Sequence, residues 1–342
     1  MKKRFNLSRR ATMWLTSMSA GLIIALGGMN LLSAAGSGTP ITSQVFPNRA
    51  ITIIVTFPPG GGTDLLARKL GALMQERLGQ AVVVENRPGA SGNIGARVVA
   101  EATADGYTLL MVNSSFAINP GVYGNLGFDP KGDFQGVINV AFVPSVLIVP
   151  QNSRYQTLKD WIDAGHQPGA RLAFASCGNG TPQHLAGEML TVNAHVTMQH
   201  VPYRGCGPAL TDVMSGQVPL GIVTASSASP FLQSCKLRAL AVTSPQRSTL
   251  LADVPTVAEQ GMPGYELDQW HGLLAPARTP KDVIVKLNRT VAQIMKQPDV
   301  RRDLLKLGFN PTTSTSAEFQ SLIDQDIDRF AALTQKIGLR AD

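Results

Sequence analysis

Between the apolar stretch ITIIV and the helically spaced run LLARKLGALMQERLG lies Phe57-Pro58-Pro59-Gly60-Gly61-Gly62-Thr63-Asp64. Glycines carry no side chain, so the backbone N–H groups of such a turn can approach a guest closely. Placed at a helix start, those groups form a small anion nest. Thr63 or Asp64 is expected to cap the helix, because each has an oxygen within reach of the first free N–H groups. Asp64 has two readings: it occupies part of the positive turn itself, or it binds an amine or hydroxyl of a ligand. A nucleotide does not fit. A Walker loop needs Gly-Lys-Ser or Gly-Lys-Thr, and the first lysine here is Lys69; the dinucleotide spacing G-x-G-x-x-G is also wrong. A small carboxylate or similar anion fits the turn better, and no cofactor is expected.

The turn has an echo. Ser176-Cys177-Gly178-Asn179-Gly180-Thr181-Pro182 follows the apolar run RLAFA, with Thr181 placed as a helix cap and Pro182 at the first helical position. Other residues follow apolar runs in the same way: Ser114 and Ser115, Tyr203 and Arg204, Thr224 and Ala225. Ligands of open α/β sheets sit at the carboxyl ends of strands. The expected binding set is therefore Phe57, Gly60, Gly61, Gly62, Thr63, Asp64, Ser114, Ser115, Ser176, Asn179, Gly180, Thr181, Tyr203, Arg204, Thr224 and Ala225. Phe57 would supply an apolar wall and Arg204 a partner for a second carboxylate. The third glycine-rich turn, ENRPGASGNIG, reads as structural, since Pro88-Gly89 already explains a tight turn.

Catalysis finds less support. Cys177 precedes a helix, where a thiolate is stabilised, and His184 is near in sequence. The competing reading is a disulfide between Cys177 and Cys206, which leaves Cys235 over. No Gly-x-Ser-x-Gly elbow and no His-Glu-x-x-His helix occurs. The cysteine spacings lack the close pair of a zinc site, and His195, His200 and His271 stand alone, so no metal site is expected. The chain reads as a binding protein, not an enzyme.

These turns need strands and helices to hold them. ITIIVTF, AVVVE and YTLLMV are strands separated by helical patterns, and nearly all-apolar strands in that order point to a parallel sheet covered on both faces. The pattern restarts at Arg171 with RLAFA, MQHVPY, VPLGIVT and RALAVT, again with helices between. VPSVLIVP precedes the restart; GLLAPA and three helical runs follow it. The economical arrangement is a discontinuous first domain, 44–146 plus 268–342, and a second domain, 147–267, with the ligand cleft between them.

The first 35 residues belong elsewhere. MKKRFNLSRR is basic, residues 13–32 carry no Asp, Glu, Lys or Arg, and small residues at Ser33 and Ala35 fit cleavage after Ala35. A membrane anchor is the competing reading, since the apolar run is long enough to span. The Arg9-Arg10 pair is a weak hint of twin-arginine export. Removing those five basic residues lowers the formal net charge of the 342-residue chain from +7 to +2. No basic stripe with aromatics remains, so nucleic acid is not an expected partner. The mature chain reads as an exported, periplasmic protein, expected to be monomeric.

The stretches FPPGGGTDLLAR, VVVENRPGASGNIGA, DGYTLL, FASCGNGTPQHLAGE, HVPYRGCGPALTDVMSGQV, KLRALAVTSPQRS, DVPTVAEQGMPGYE and GLLAPARTP carry a resemblance over about residues 46–338. In this order they resemble the Bordetella-uptake-gene-type family of periplasmic solute-binding proteins, the receptor component of tripartite tricarboxylate transporters. The resemblance implies a two-domain Venus-flytrap of the type II periplasmic binding protein fold, holding a small organic anion, commonly a carboxylate. It maps the usual contacts onto Gly60–Asp64 and Ser176–Thr181, with Ser114, Ser115, Tyr203 and the Thr224 region as side walls. Main-chain amides and ordered waters are expected to do much of the holding. The implied partners are a large and a small integral membrane subunit; some relatives serve in sensing instead of uptake. Two departures stand out. Many relatives have a small neutral residue where this chain has Cys177 and Cys206, and a phenylalanine–aspartate pair where it has IVTASS. Without that acid an amino-group partner is less expected on this wall. Aromatic acids, dicarboxylates and tricarboxylates remain open.

Overall fold

The computed structural model describes residues 46–340. The segment read as an export signal lies outside the described residues. The first stretch alternates strand and helix: β1 (Ile51–Val55), α1 (Gly62–Leu78), β2 (Val82–Asn86), α2 (Asn93–Ala100), β3 (Thr108–Asn113) and α3 (Ser115–Val122). A long strand, β4 (Phe134–Pro150), follows. The alternation then resumes with α4 (Leu158–Gly165), β5 (Leu172–Ser176), α5 (Pro182–Ala194), β6 (Met198–Pro202), α6 (Cys206–Met214), β7 (Leu220–Thr224), α7 (Ala225–Gln233) and β8 (Leu237–Val242). The chain ends with β9 (Asp268–Pro276), α8 (Lys281–Met295), α9 (Pro298–Lys306), β10 (Asn310–Pro311) and α10 (Ser316–Ile337).

The strands form one continuous path in the order β2-β1-β3-β9-β4-β7-β5-β6, with β8 and β10 pairing β4 off that path. The strand–helix–strand repeats are parallel: β1 with β2 and β3, β5 with β6 and β7. The middle is not. β9 runs antiparallel to both β3 and β4, and β4 runs antiparallel to β7 and β8. The parallel pairing expected of β1, β2 and β3 holds, and β5, β6 and β7 pair in the same way, because helical crossovers join the strands within each set.

β4 ties the two halves of the path together. Its residues 134–144 pair β9, and its residues 145–150 pair β7 and β8. Pro144 stands opposite Asp268, and Ser145 opposite Thr224. Just before β9 the chain is still bonded to the other half: the Leu267 N–H donates to the Thr243 carbonyl at 2.8 Å, and Thr243 Oγ1 donates to the Leu267 carbonyl at 2.6 Å.

Helices cover both faces of the sheet and bury its apolar side chains. Leu66, Leu70 and Met74 of α1 and Leu287, Val291 and Ile294 of α8 pack on Ile51, Ile53 and Val55 of β1 and on β4. Full burial of each such side chain contributes about 1.5–3 kcal/mol before conformational entropy is counted. On the other face Phe319, Ile323 and Phe330 of α10 meet Trp270 of β9, whose indole N–H donates to Asp326 at 2.8 Å. The effect is to aim the carboxyl ends of β1, β3, β5, β6 and β7 at a common region.

Candidate functional site

Two adjoining cavities occupy that region. The first encloses about 360 Å³ and is walled by the Phe57–Thr63 turn, Leu65 and Asn113 on one side. Cys177, Gln183, Arg204–Pro208, Thr224, Ser226, Ser227, Pro230 and Phe231 close it on the other. The second, about 530 Å³, lies between Thr56–Pro58, Pro88–Gly92 and Tyr123 and the opposing Cys177–Asn179 and Pro202–Gly205. Phe57, Pro58, Cys177, Arg204 and Gly205 border both and form the partition. At its centre Pro58 packs on Gly205, where a Cβ would stand 3.4 Å from Pro58 Cγ and φ is +103°. Only glycine takes that conformation without strain.

On the first wall α1 starts at Gly62, earlier than sequence predicts, and its N-cap is Gly61, with no side-chain cap. The expectation that Thr63 or Asp64 caps the helix is therefore overturned: both lie inside its first turn. The leading N–H groups of a helix have no acceptor within it, so those of Gly62 and Thr63 stand open at the cavity wall. Asp64 is buried and turns back on its own loop. Its carboxylate accepts from the Gly60 N–H at 2.9 Å, Arg68 Nε at 3.0 Å and Asn86 Nδ2 at 2.8 Å. Burial opposes its ionisation, but these hydrogen bonds outweigh burial and hold the carboxyl below its usual value. Of its two readings, the one in which Asp64 serves the turn itself is the one the structure displays; it lines neither cavity. Thr63 does line the first, with Oγ1 3.3 Å from His271 Nε2. His271 is fully buried, and burial lowers its pKa to about 3.

The opposite wall departs further from the sequence reading. The Ser176–Thr181 turn faces the cavities through Cys177, Gly178 and Asn179 only. Ser176 Oγ is 2.6 Å from His200 Nε2 and accepts from the Gly178 N–H at 3.1 Å. Thr181 caps α5, accepting from the His184 N–H at 3.3 Å, and the Gly180 N–H donates to His184 Nδ1 at 3.2 Å. Ser176, Gly180 and Thr181 thus spend their polar groups on the turn and line neither cavity. Beneath them His184 and His200 stack with ring centroids 3.7 Å apart. Burial, then the neighbouring His184, lowers the His200 pKa to about 3. Asn179 reaches the other wall, its carbonyl accepting from Ser91 Oγ and from Tyr123 Oη at 3.2 Å. The ENRPGASGNIG turn, read as structural, therefore also walls the second cavity.

The open helix start on this side is α6. Its N-cap, Gly205, offers no side-chain cap, and Cys206 and Gly207 line the first cavity. Cys206 is bonded to Cys177. That pairing resolves the two readings of Cys177: no thiol is left there to act as a nucleophile. Thr224 caps α7 by accepting from the Ser227 N–H at 3.3 Å, and its Oγ1 also meets Ser227 Oγ at 2.7 Å and Ser226 Oγ at 3.2 Å. Ala225 faces the core, so the wall after β7 is made by Thr224, Ser226 and Ser227.

The remaining expected residues divide. Ser114 is buried and its Oγ accepts from the Trp270 N–H at 2.9 Å, tying β3 to β9. Ser115 borders only a recess of about 10 Å³ behind the cavities, where its Oγ has no partner. Both belong to the packing because α3 begins at Ser115 and turns them inward. Tyr203 lines the second cavity with its hydroxyl donating to Asp212 at 2.6 Å; burial, then that bond, pushes the phenol up to about 12. Arg204 lines both cavities. Polar and aromatic cavity residues outside the expected set include Asn113, Gln183, Ser226, Ser227, Phe231, Ser91 and Tyr123. Gln183 Nε2 donates to Ser145 Oγ at 2.9 Å, which anchors the wall to β4.

No Asp or Glu appears in either lining, and Arg204 is the one charged side chain in both. The arrangement can therefore hold an anion on helix-start amides, against apolar Phe57, Pro230 and Phe231. Among the described residues no group of three or more His, Cys, Asp or Glu could hold a metal ion, and no helix is long and apolar enough to cross a membrane.

Comparison with known proteins matches residues 66–339 to the tripartite tricarboxylate transporter family receptor. The UPF0065 protein in the tcbD-tcbE intergenic region of Pseudomonas sp. (strain P51) is 36% identical over 318 residues, 93% of this chain and 95% of the relative. The structure of R. palustris Rpa4515 with adipate superposes with a TM-score of 0.83 at 34% identity, covering 86% of this chain and all of that one. The periplasmic binding protein BugD superposes with a TM-score of 0.81 at 33% identity, again over 86% of this chain and all of that one. The fold is thus the α/β periplasmic binding protein fold. The chain belongs to the receptor family of the tripartite tricarboxylate transporters.

Proposed function

We propose that this receptor captures a small organic carboxylate and delivers it to a large and a small membrane subunit of a tripartite transporter. The observation that carries the reading is the pair of uncapped helix starts, α1 at Gly62 and α6 at Cys206, lining one acid-free cavity. A carboxylate there accepts from the N–H groups of Gly62 and Thr63, assisted by the positive end of the helix dipole. Adipate bound to the R. palustris relative is of the same chemical class. In this reading residues 44–146 with 268–342 form one lobe and residues 147–267 the other. They hinge where β4 passes Pro144 and where the chain re-enters at Asp268. Closure is then favoured by contacts the ligand makes with both lobes at once. Export removes the leader near Ala35 and leaves the receptor in the periplasm. The receptor performs no chemistry on its ligand.

The test is a thermal-shift and calorimetric screen of the chain from residue 36 onward against aliphatic mono- and dicarboxylates, aromatic acids, tricarboxylates and amino acids. A carboxylate at 100 times its Kd stabilises the native state by about 2.7 kcal/mol. Chromatography should recover that acid unchanged. Absence of stabilisation by any carboxylate refutes the ligand class, and turnover of the compound refutes the receptor role.

A further inference from the structure

Among the described residues, two sets of hydrogen bonds join residues 44–146 and 268–342 to residues 147–267. One is made by β4, through its pairing with β7 and β8 and through Ser145. The other has a single acceptor at the second cavity. The Asn179 carbonyl accepts from Ser91 Oγ and from Tyr123 Oη at 3.2 Å, and the two hydroxyls are 3.3 Å apart. None of the ion pairs crosses between the two sets of residues.

Both sides of this contact are built in advance. Ser91 lies in a run of four residues at positive φ: Gly89 at +129°, Ala90 at +44°, Ser91 at +50° and Gly92 at +101°. The left-handed region disfavours Ala90 and Ser91, and such strain persists only where the surroundings impose it. Asn119 does so here, its Nδ2 donating to the Ser91 carbonyl at 3.0 Å and to Asn93 Oδ1 at 2.7 Å. Across the cleft, the Asn179 carbonyl is presented between Gly178 and Gly180, whose N–H groups are fastened to Ser176 Oγ and His184 Nδ1. The two surfaces mesh. A Cβ on Gly180 would stand 2.6 Å from Asn119 Oδ1 and 3.0 Å from Tyr123 Cε2. Every group in the contact belongs to the protein, and none needs a guest to complete it.

We infer that Ser91 and Tyr123 are a latch: they grip the Asn179 carbonyl and hold the cleft shut through protein atoms alone, so part of the receptor population is closed before any ligand arrives. This rests on the two-lobe reading above and adds a closing contact independent of the ligand. A latch of this kind acts on how long a guest stays, through its dissociation rate, whatever the guest's chemistry.

The experiment measures the separation of two spin labels on the unliganded chain from residue 36 onward. One label sits on Cys235, the exposed free cysteine of residues 147–267. The other sits on Val83→Cys, at an exposed position of edge strand β2. The separation of the closed arrangement should account for more than about 10% of unliganded molecules, above the usual range of a minor state. Ser91→Gly and Tyr123→Phe should each lower the closed-to-open ratio about fivefold, the effect of one net hydrogen bond. Thermal melting confirms that both variants are folded. A ratio unchanged in both variants overturns the inference. So does an unliganded parent found only at a separation other than the closed one, which leaves the two-lobe reading standing. A single separation, the same in the parent, in both variants and with every acid of the screen, overturns the latch and the two-lobe reading together.

Discussion

Gly62 is the position where one methyl group should separate binding from folding. A Cβ built there meets Ser226 Oγ at 2.6 Å, while Phe309 Cζ is at an ordinary 3.6 Å. Gly62 lies at the start of α1 and Ser226 in the first turn of α7, so the contact bridges the two walls of the first cavity. Ordinary contact begins at 3.4 Å, so Gly62→Ala requires about 0.8 Å of relief. Either the walls part or the Ser226 hydroxyl rotates away. Rotation breaks its bond to Thr224 Oγ1, now 3.2 Å long, at a cost of about 0.5–1.5 kcal/mol. Without ligand the walls part to relieve the contact; a ligand that draws them together meets the cost of about 1 kcal/mol on binding, and its affinity falls roughly fivefold. The fold should not suffer, because alanine is a better helix former than glycine by up to about 1 kcal/mol.

The second substitution makes this a mechanism instead of a correlation. Ser226→Ala removes the clashing oxygen and leaves Ser226 Cβ 3.8 Å from the new methyl, an ordinary contact. Calorimetry with the tightest acid from the screen should show Gly62→Ala weakened and Gly62→Ala/Ser226→Ala restored to within about twofold of the Ser226→Ala single variant. Melting temperatures without ligand should stay level or rise for Gly62→Ala. Undiminished affinity in Gly62→Ala refutes the contact. A double variant as weak as Gly62→Ala refutes the clash and shows the methyl acting on the ligand's own approach to the amides.

Two further outcomes follow from the same walls. Removing the Cys177–Cys206 bond, whose partners are 29 residues apart, frees about 3–4 kcal/mol of unfolded-chain entropy; the Cys177→Ser/Cys206→Ser variant should melt about 5 °C lower, and an unchanged midpoint would contradict this. Asp268, opposite Pro144 where β9 begins, is pushed up to about 7 by burial, against the bond from the Gln269 N–H. A carboxyl raised in the folded state contributes stability below its unfolded value near 3.9 and loses it as pH rises through about 7. Asp268→Asn should therefore raise the melting temperature at pH 8, with the gain vanishing toward pH 4. Buried His200 and His271, both lowered to about 3, act oppositely on the parent protein, whose stability falls as pH drops below about 6.5, so the variant-minus-parent difference is the quantity to follow.

Regular apolar periodicity made much of the scaffold legible. β1, β3, β5 and β7 fall on runs read as strands, and α1, α8 and α10 on runs with a helical stripe. The misses have local causes. Residues 134–142 of β4 read as nothing in particular, because Gly136 and Asn139 interrupt the run and both faces are buried, which erases alternation. α3 was hidden by Asn119-Pro120-Gly121, letters of a turn, inside an eight-residue helix. The antiparallel course of β9 has no signature within its own residues, since strand direction is set by what the strand meets. In the wall after β7, Ala225 was expected and Ser226 and Ser227 were not; the helix starts at once, and its first turn sends Ala225 into the core.

The glycine turns show the sharpest limit. GGGTD and GNGTP look like copies, and both were read as amide nests. The difference lies in where the threonine falls. Thr63 is the second residue of α1, behind a glycine N-cap that has no side chain to offer the leading amides. Thr181 is itself the N-cap of α5, and its hydroxyl takes the His184 N–H. The same division holds around the first cavity: the glycine-capped starts of α1 and α6 open into it, while the threonine-capped starts of α5 and α7 satisfy an amide internally. A cap and a ligand compete for the same N–H groups, so a helix start can serve one or the other. Two starts closed by threonine stiffen the walls, and two left open by glycine can accept an anion. This is the physical reason the echo of FPPGGGTD lies at Gly205–Gly207, beside the disulfide, instead of at Gly180–Thr181.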